Sequence, residues 1–135
     1  MFDAHQLGRR QTGNETYVRA LLREYRERDD LEVTSLVERA ALADPAVQAA
    51  RKRTVPRSGL LRLGAMSMAA RGARPDVLHA VYFSPYLAGT PTVLTVHDIS
   101  YELHPEFFGR SERLRGKTLI RDGARRARFV VTVSE

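Results

Sequence analysis

Apolar positions recur along this chain with two periods that take turns. Tyr17, Val18, Leu21, Leu22 and Tyr25 are spaced three and four apart, with Arg19, Arg23, Arg26 and Glu27 between them. That repeat predicts an amphipathic helix over 13–28, with Thr12 and Glu15 in the positions of a capping box. Leu31 to Val37 instead alternates apolar and polar side chains around β-branched residues and predicts a strand. Residues 40–54 mix alanines with Pro45 and the basic run Arg51-Lys52-Arg53, and read as an exposed connection with room for one short helix. A helix over 58–73 follows, closed by Pro75. Then come a strand over 76–81, an aromatic loop Tyr82-Phe83-Ser84-Pro85-Tyr86, a strand from Pro91 through Val96, a basic helix over 109–126 and a last strand over 129–133.

Strands that alternate with helices predict an α/β fold, an open Rossmann-like parallel sheet with helices on both faces. Such sheets bind ligands beyond the carboxyl ends of their strands. His5, Tyr82, His97, Asp98 and Ser134 all fall at or just past strand ends, so the pattern gathers them on one rim. Phe2–His5 reads as the tail of a strand, and 128–135 as a strand with nothing after it. A parallel strand needs a crossover to its neighbour, so the chain reads as a fragment that stops between units.

Composition narrows the chemistry. No cysteine is present among 135 residues, which excludes disulfides, thiolate metal sites and cysteine nucleophiles. Lys and Arg number 22 against 16 Asp and Glu, a formal charge of +6 that favours anionic partners. The basic residues fall into two blocks, 51–74 and 110–128. A solvated helix face explains them. So does docking on anionic lipid, since Leu60, Leu61, Leu63, Met66 and Met68 lie beside the arginines. No nucleic-acid-binding motif accompanies the charge, and nucleic acid is not expected as a partner. No stretch reaches the roughly 18 to 20 apolar residues of a membrane span, and the N-terminus lacks the order of a signal peptide, so a cytoplasmic location is expected.

Two stretches carry candidate chemistry. Leu7 to Tyr17 joins the first strand to the first helix. Gly8 and Gly13 allow tight turning, and the N–H groups of the helix start, with Arg9 and Arg10 beside them, suit a phosphate. An ordinary strand-to-helix turn fits the same residues. His97-Asp98 ends a buried strand, where the pair suits orienting a hydroxyl or moving a proton, or simply bonding a neighbouring loop. No G-x-S-x-G elbow is present, and His79, His97 and His104 lack metal-ligand spacing, so no metal is expected.

Three stretches in order resemble the N-terminal domain of family 4 glycosyltransferases: Asp3-Ala4 followed by T-G-N-E-T-Y-V-R-A-L-L from Thr12; D-V-L-H-A-V-Y-F-S-P from Asp76; and P-T-V-L-T-V-H-D-I-S-Y-E-L-H-P-E-F-F from Pro91, leading to A-R-R-A-R-F-V-V-T-V-S-E. The resemblance implies half of a GT-B fold over 1–135, with a donor-binding C-terminal domain outside these residues. It implies a retaining enzyme of the mannosyl- or rhamnosyltransferase kind that moves a hexose from a nucleotide sugar to a glycan or glycolipid acceptor in polysaccharide biosynthesis, without a bound cofactor or metal. The family's roles carry over to Gly13 in the first loop and to His97 facing the transferred sugar, with Asp98 beside it. Asn14, Tyr82 and Tyr101 are expected to bind substrate, with Tyr101 and Phe107 walling the cleft. Peripheral contact with the inner membrane face is part of the same expectation. The first loop reads Gly13-Asn-Glu-Thr-Tyr17 where the family usually has Gly-Ile-Gly-Arg-Tyr, and transfer by this chain alone is not expected. A non-catalytic sugar- or phosphate-binding module, or a partner of a separate donor-domain chain, is the alternative.

Overall fold

A computed structural model describes residues 1–9, 12–48 and 51–133. Its strands are β1 (Phe2–Asp3), β2 (Thr34–Val37), β3 (Arg51–Thr54), β4 (Leu78–Val81), β5 (Thr92–Val96) and β6 (Phe129–Thr132). All pair in parallel in one sheet of order β3-β2-β1-β4-β5-β6. This is the doubly wound order, whose direction of winding reverses between β1 and β4. The fold is therefore the α/β Rossmann-like sheet that the alternating pattern predicts.

Helices cover both faces. α1 (Thr12–Arg26) lies on one, with Val18 and Leu22 packed on Phe2, Leu7, Val37 and Val81. α2 (Gly59–Ala73) and the rod 110–126 lie on the other, around Leu36, Leu63, Met66, Leu78, Leu94 and Ile120. Leu36, Met66, Leu78 and Leu94 are fully buried, and each contributes about 1.5–3 kcal/mol through the water it sheds. The rod has three parts: α4 (Arg110–Arg115), one π turn at Gly116–Ile120, and α5 (Arg121–Arg126). A short α3 (Ser100–Leu103) and a 3₁₀ turn at Pro105–Phe107 precede it.

Two expectations change. The basic run 51–54 is not a loose connection but the edge strand β3, every residue exposed and paired on one side only with β2. An edge position tolerates this sequence, because charged side chains there reach water and discourage further strand pairing. The strand expected from Leu31 begins at Thr34, opposite Arg51, while Leu31 and Glu32 stay exposed. At the opposite edge β6 is likewise exposed along its length.

Strand β1 is short, and side chains extend its reach. It pairs with β4 at Phe2↔His79 only. One residue later the Asp3 carboxylate accepts the Val81 N–H at 3.5 Å, while Ala4 N–H continues the bonding to β2 through Leu36 C=O. The β1 and β4 ends thus part at the switch point with their polar groups engaged.

Candidate functional site

In a strand, successive side chains point to opposite faces. Along β4 and β5 the even positions Leu78, Ala80, Leu94 and Val96 join the α2 core, while Val81 joins the α1 core. His79 and Thr95 share the α1 face with Val81 and are polar. α1 crosses there and supplies their partners. The Tyr25 hydroxyl meets His79 Nδ1 at 2.8 Å, His79 Nε2 meets Thr95 Oγ1 at 2.7 Å, and the Tyr17 hydroxyl meets Thr95 Oγ1 at 2.9 Å. Burial pushes the His79 pKa down to about 4, against the pull of the Asp3 charge, with the N-terminal amine adding to the fall. His79 is therefore neutral, with one ring nitrogen donating and the other accepting.

His97 lies one residue past β5 and keeps the α1 side. Its ring meets the Tyr17 ring edge-on, centroids 4.6 Å apart, and the Tyr82 ring at 5.3 Å. Its Nε2 is buried and lacks a hydrogen-bond partner among the described residues. Burial holds the imidazole below the ordinary histidine value, and Asp98 pulls the other way. A neutral ring with one uncommitted nitrogen can donate to or accept from a hydroxyl placed against it.

Asp98 turns to the other face. One carboxylate oxygen accepts the Ser100 N–H at 2.9 Å and the other accepts the Tyr82 hydroxyl at 2.8 Å. Burial works to raise its pKa, but these two bonds and the neighbouring His97 hold it below the usual carboxylate range. Tyr82 itself is pushed well above the ordinary phenol value by burial and by Asp98, while a hydrogen bond with Asn14 works the other way. Its backbone is left-handed, φ 62°, a conformation that costs a bulky residue about 1–2 kcal/mol. The turn places the Tyr82 ring between His97 and Asp98 and brings its hydroxyl to Asn14 at the start of α1.

Beyond Asp98 opens a cleft of about 660 Å³ between the start of α2 and the rod. Tyr82, Phe83, Tyr101 and Phe108 contribute rings, and Leu60, Leu63, Leu119 and Ile120 contribute aliphatic wall. Tyr101 packs flat against Gly116 of the π turn, where an added Cβ would lie 2.7 Å from the ring. Tyr101 lines this cleft, and Phe107 does not. It is 78% exposed, and the ring that lines the cleft is Phe108, because the 3₁₀ turn at 105–107 ends just before it and turns Phe107 outward.

The loop after β1 is less open than its sequence suggests. His5 is buried, its Nδ1 2.7 Å from Asp3. Burial alone would raise the Asp3 pKa, but His5 and Arg62 hold it below the carboxylate range. Gly8 takes φ 75°, which a side chain there would strain, and its N–H donates to Glu15. Arg9, a candidate phosphate partner, is bound to the Glu38 carboxylate and donates to the Arg57 carbonyl. Gly13 is exposed in the first turn of α1, with open space over its Cα. Arg10, Ser134 and the Thr12 side chain lie outside the described residues.

The structure therefore brings Asn14, Tyr82, His97 and Asp98 together and sets Tyr101 next along the cleft. Sequence reasoning missed Tyr17, Thr95 and His79 as its support, because Tyr17 reads as one more residue of an apolar helix face and the other two as strand interior. It also missed Gly116. A glycine inside a basic helix was the available signal, since that position costs about 1 kcal/mol unless something must pack on it. Among the described residues no three His, Asp or Glu side chains form a metal-binding group, and no helix is long and apolar enough to cross a membrane.

The sequence profile described as Glycosyltransferase Family 4 matches residues 12–135. No curated protein and no solved structure matches the chain.

Proposed function

The chain belongs to glycosyltransferase family 4, and from that premise we propose that it forms the acceptor-side wall of a glycosyl-transfer site. A hexose, mannosyl or rhamnosyl in kind, leaves the diphosphate oxygen of a nucleotide sugar and bonds an acceptor hydroxyl with retention of configuration; the hydroxyl proton passes to the departing diphosphate. The donor is substrate and not a resident cofactor, and in this reading no metal is bound. A second, donor-binding domain faces the rim described above.

The observation that carries the reading is the neutral His97 ring. Tyr17 meets it edge-on and Tyr82 at a tilt, and its buried Nε2 has no partner among the described residues, at the rim where this sheet architecture binds ligands. His97 meets a hydroxyl of the transferred sugar. Tyr82 and Asn14 orient the acceptor, Asp98 fixes the Tyr82 hydroxyl, and Gly13 leaves room for the sugar at the start of α1. Preorganised contacts of this kind stabilise charge that develops only in the transition state.

Peripheral contact with an anionic membrane on its cytoplasmic side belongs to the same reading. α2 exposes Leu60 (74%), Leu61 (67%) and Met68 (77%) along one side, with Arg57 and Arg71 exposed on the same stretch of chain. Apolar side chains flanked by arginines suit the headgroup boundary.

The test is release of nucleoside diphosphate from a panel of nucleotide sugars, by the chain alone and by the chain joined to a family 4 donor-binding domain. The joined protein is expected to turn over, and His97→Ala to slow it by at least about 100-fold with an unchanged unfolding midpoint. Unchanged turnover removes the role given to His97. No turnover with any donor removes the transfer reading and leaves a sugar- or phosphate-binding module.

A further inference from the structure

The cleft beyond Asp98 is built differently from the rim it joins. Its volume, about 660 Å³, lies within the range of roughly 300–1,000 Å³ typical of small-molecule sites. Its lining is mainly apolar, and several of its polar atoms are already engaged. Both Asp98 oxygens are taken by Tyr82 and Ser100, Glu112 Oε2 accepts the Gly109 N–H, and Arg115 Nε donates to the Ser111 carbonyl. A glycan is recognised by many hydroxyls, each needing a polar partner, and most of this wall is carbon: four aromatic rings and four aliphatic side chains. Two costly features border the same space: the left-handed backbone of Tyr82 and the π turn at Gly116–Ile120. Strain and π turns of this kind persist where function requires them.

From this, and resting on the transfer reading above, we infer that the acceptor is an amphiphile whose hydrocarbon chain lies in this cleft. Its hydroxyl end reaches Tyr82 and Asp98, which belong to both the rim and the cleft, so the occupant is continuous with the reacting end. The chain runs out past Leu60, the α2 residue that lines the cleft and also stands exposed beside Leu61. At Leu60 the cleft therefore borders an apolar, arginine-flanked surface, the chemistry of an acceptor drawn from an anionic lipid layer.

The experiment is an NMR titration of the 135-residue chain with decyl glucoside below its micelle-forming concentration, with glucose and maltotetraose run in parallel. Decyl glucoside is expected to bind saturably and one-to-one, shifting Leu63, Leu119 and Ile120, while both sugars fail to bind. Leu119→Asp should weaken binding at least tenfold. Gly59→Leu, which adds a side chain where a Cβ meets open space, should weaken it at least threefold by narrowing the mouth. Equal binding of maltotetraose makes the cleft a glycan subsite and overturns the inference. So does unsaturable shifting of Leu60, Leu61 and Met68 that neither variant changes. Because no donor and no turnover enter this readout, the inference and the transfer reading fail separately: an inactive protein that binds decyl glucoside as described retains the cleft assignment and loses only the chemistry.

Discussion

His79 lies in β4 and His97 one residue past the neighbouring β5; both face the same helix and touch the same hydrogen-bonded group through Thr95 and Tyr17, yet the sheet uses them in opposite ways. Around His79 every polar atom is engaged: Tyr25 on one nitrogen and Thr95 on the other. Around His97 the ring meets Tyr17 edge-on and Tyr82 at a tilt, and its buried Nε2 has no partner among the described residues. The difference is where the strand ends. Inside the sheet a polar ring without partners would cost about 1–3 kcal/mol, so the fold supplies them. One residue past β5 the same cost is tolerated, and a ligand that displaces the packing over this buried nitrogen would gain the bond it lacks.

The largest effects should come from exchanging the two histidines for alanine. His97→Ala is expected to cost at least about 100-fold in turnover and little stability, since its nitrogen makes no bond to lose. His79→Ala should do the reverse and destabilise by about 3 kcal/mol through a cavity and two orphaned hydroxyls. Urea unfolding of both variants, beside nucleotide release by the donor-joined protein, separates them. Equal loss of stability in both would erase the contrast.

Acid should find the same contrast without a mutation. The His79 pKa is about 4 in the folded chain against 6.5 for the free side chain. Between those values the unfolded chain takes up a proton that the folded chain refuses. Stability is therefore full above pH 6.5 and falls as pH drops toward 4, by about 3 kcal/mol over the interval. Asp3, held below its usual range, adds to the loss only at still lower pH. His79→Gln should flatten the slope between pH 6.5 and 4. A slope that survives the substitution would place its origin elsewhere.

The contrast also shows what could be read from sequence. The short buried runs of β4 and β5 and the helical spacing of Tyr17 to Tyr25 follow directly from burial, so the sheet, its covering and the position of His97 at the rim were legible. β3 was not, because Arg51-Lys52-Arg53 lacks an apolar face and becomes a strand only through its pairing with β2. Nor was the support beneath His97. The bonds from Tyr25 to His79 and from Tyr17 to Thr95 span 54 and 78 residues of chain, and no local pattern encodes which helix face lands on which strand. Tyr82 was legible as a rim residue but its backbone was not, since nothing local marks a tyrosine for positive φ.

Gly116 tests the far side of the rim. A Cβ there would stand 2.7 Å from the Tyr101 ring, and neither a helix backbone nor a ring packed under Asp98 gives way cheaply. Gly116→Ala is expected to destabilise by about 2 kcal/mol despite alanine's higher helix propensity, and to displace Tyr101 into the cleft. Thermal unfolding and the decyl glucoside titration check the two consequences. A stabilised variant would mean that the π turn relaxes to an α turn without cost.

The smallest effect is expected at Tyr82, where bond and strain separate. Tyr82→Phe keeps the ring between His97 and Asp98 and keeps the left-handed backbone, but loses the bond to the carboxylate. It should cost about 1 kcal/mol in unfolding. Asp98 would retain the Ser100 N–H and lose one of the donors that hold its pKa down, so its midpoint, followed by carboxyl carbon NMR, should rise toward the ordinary carboxylate value. Tyr82→Gly loses the same bond but also releases the backbone, which favours the folded state by about 1–2 kcal/mol relative to a strained tyrosine. If the glycine variant proves no less stable than the phenylalanine variant, although it alone loses the ring, the strain is real and its release offsets the ring's packing. If it is far less stable, the ring's packing on His97 outweighs the strain, and aromatic contact holds this part of the rim.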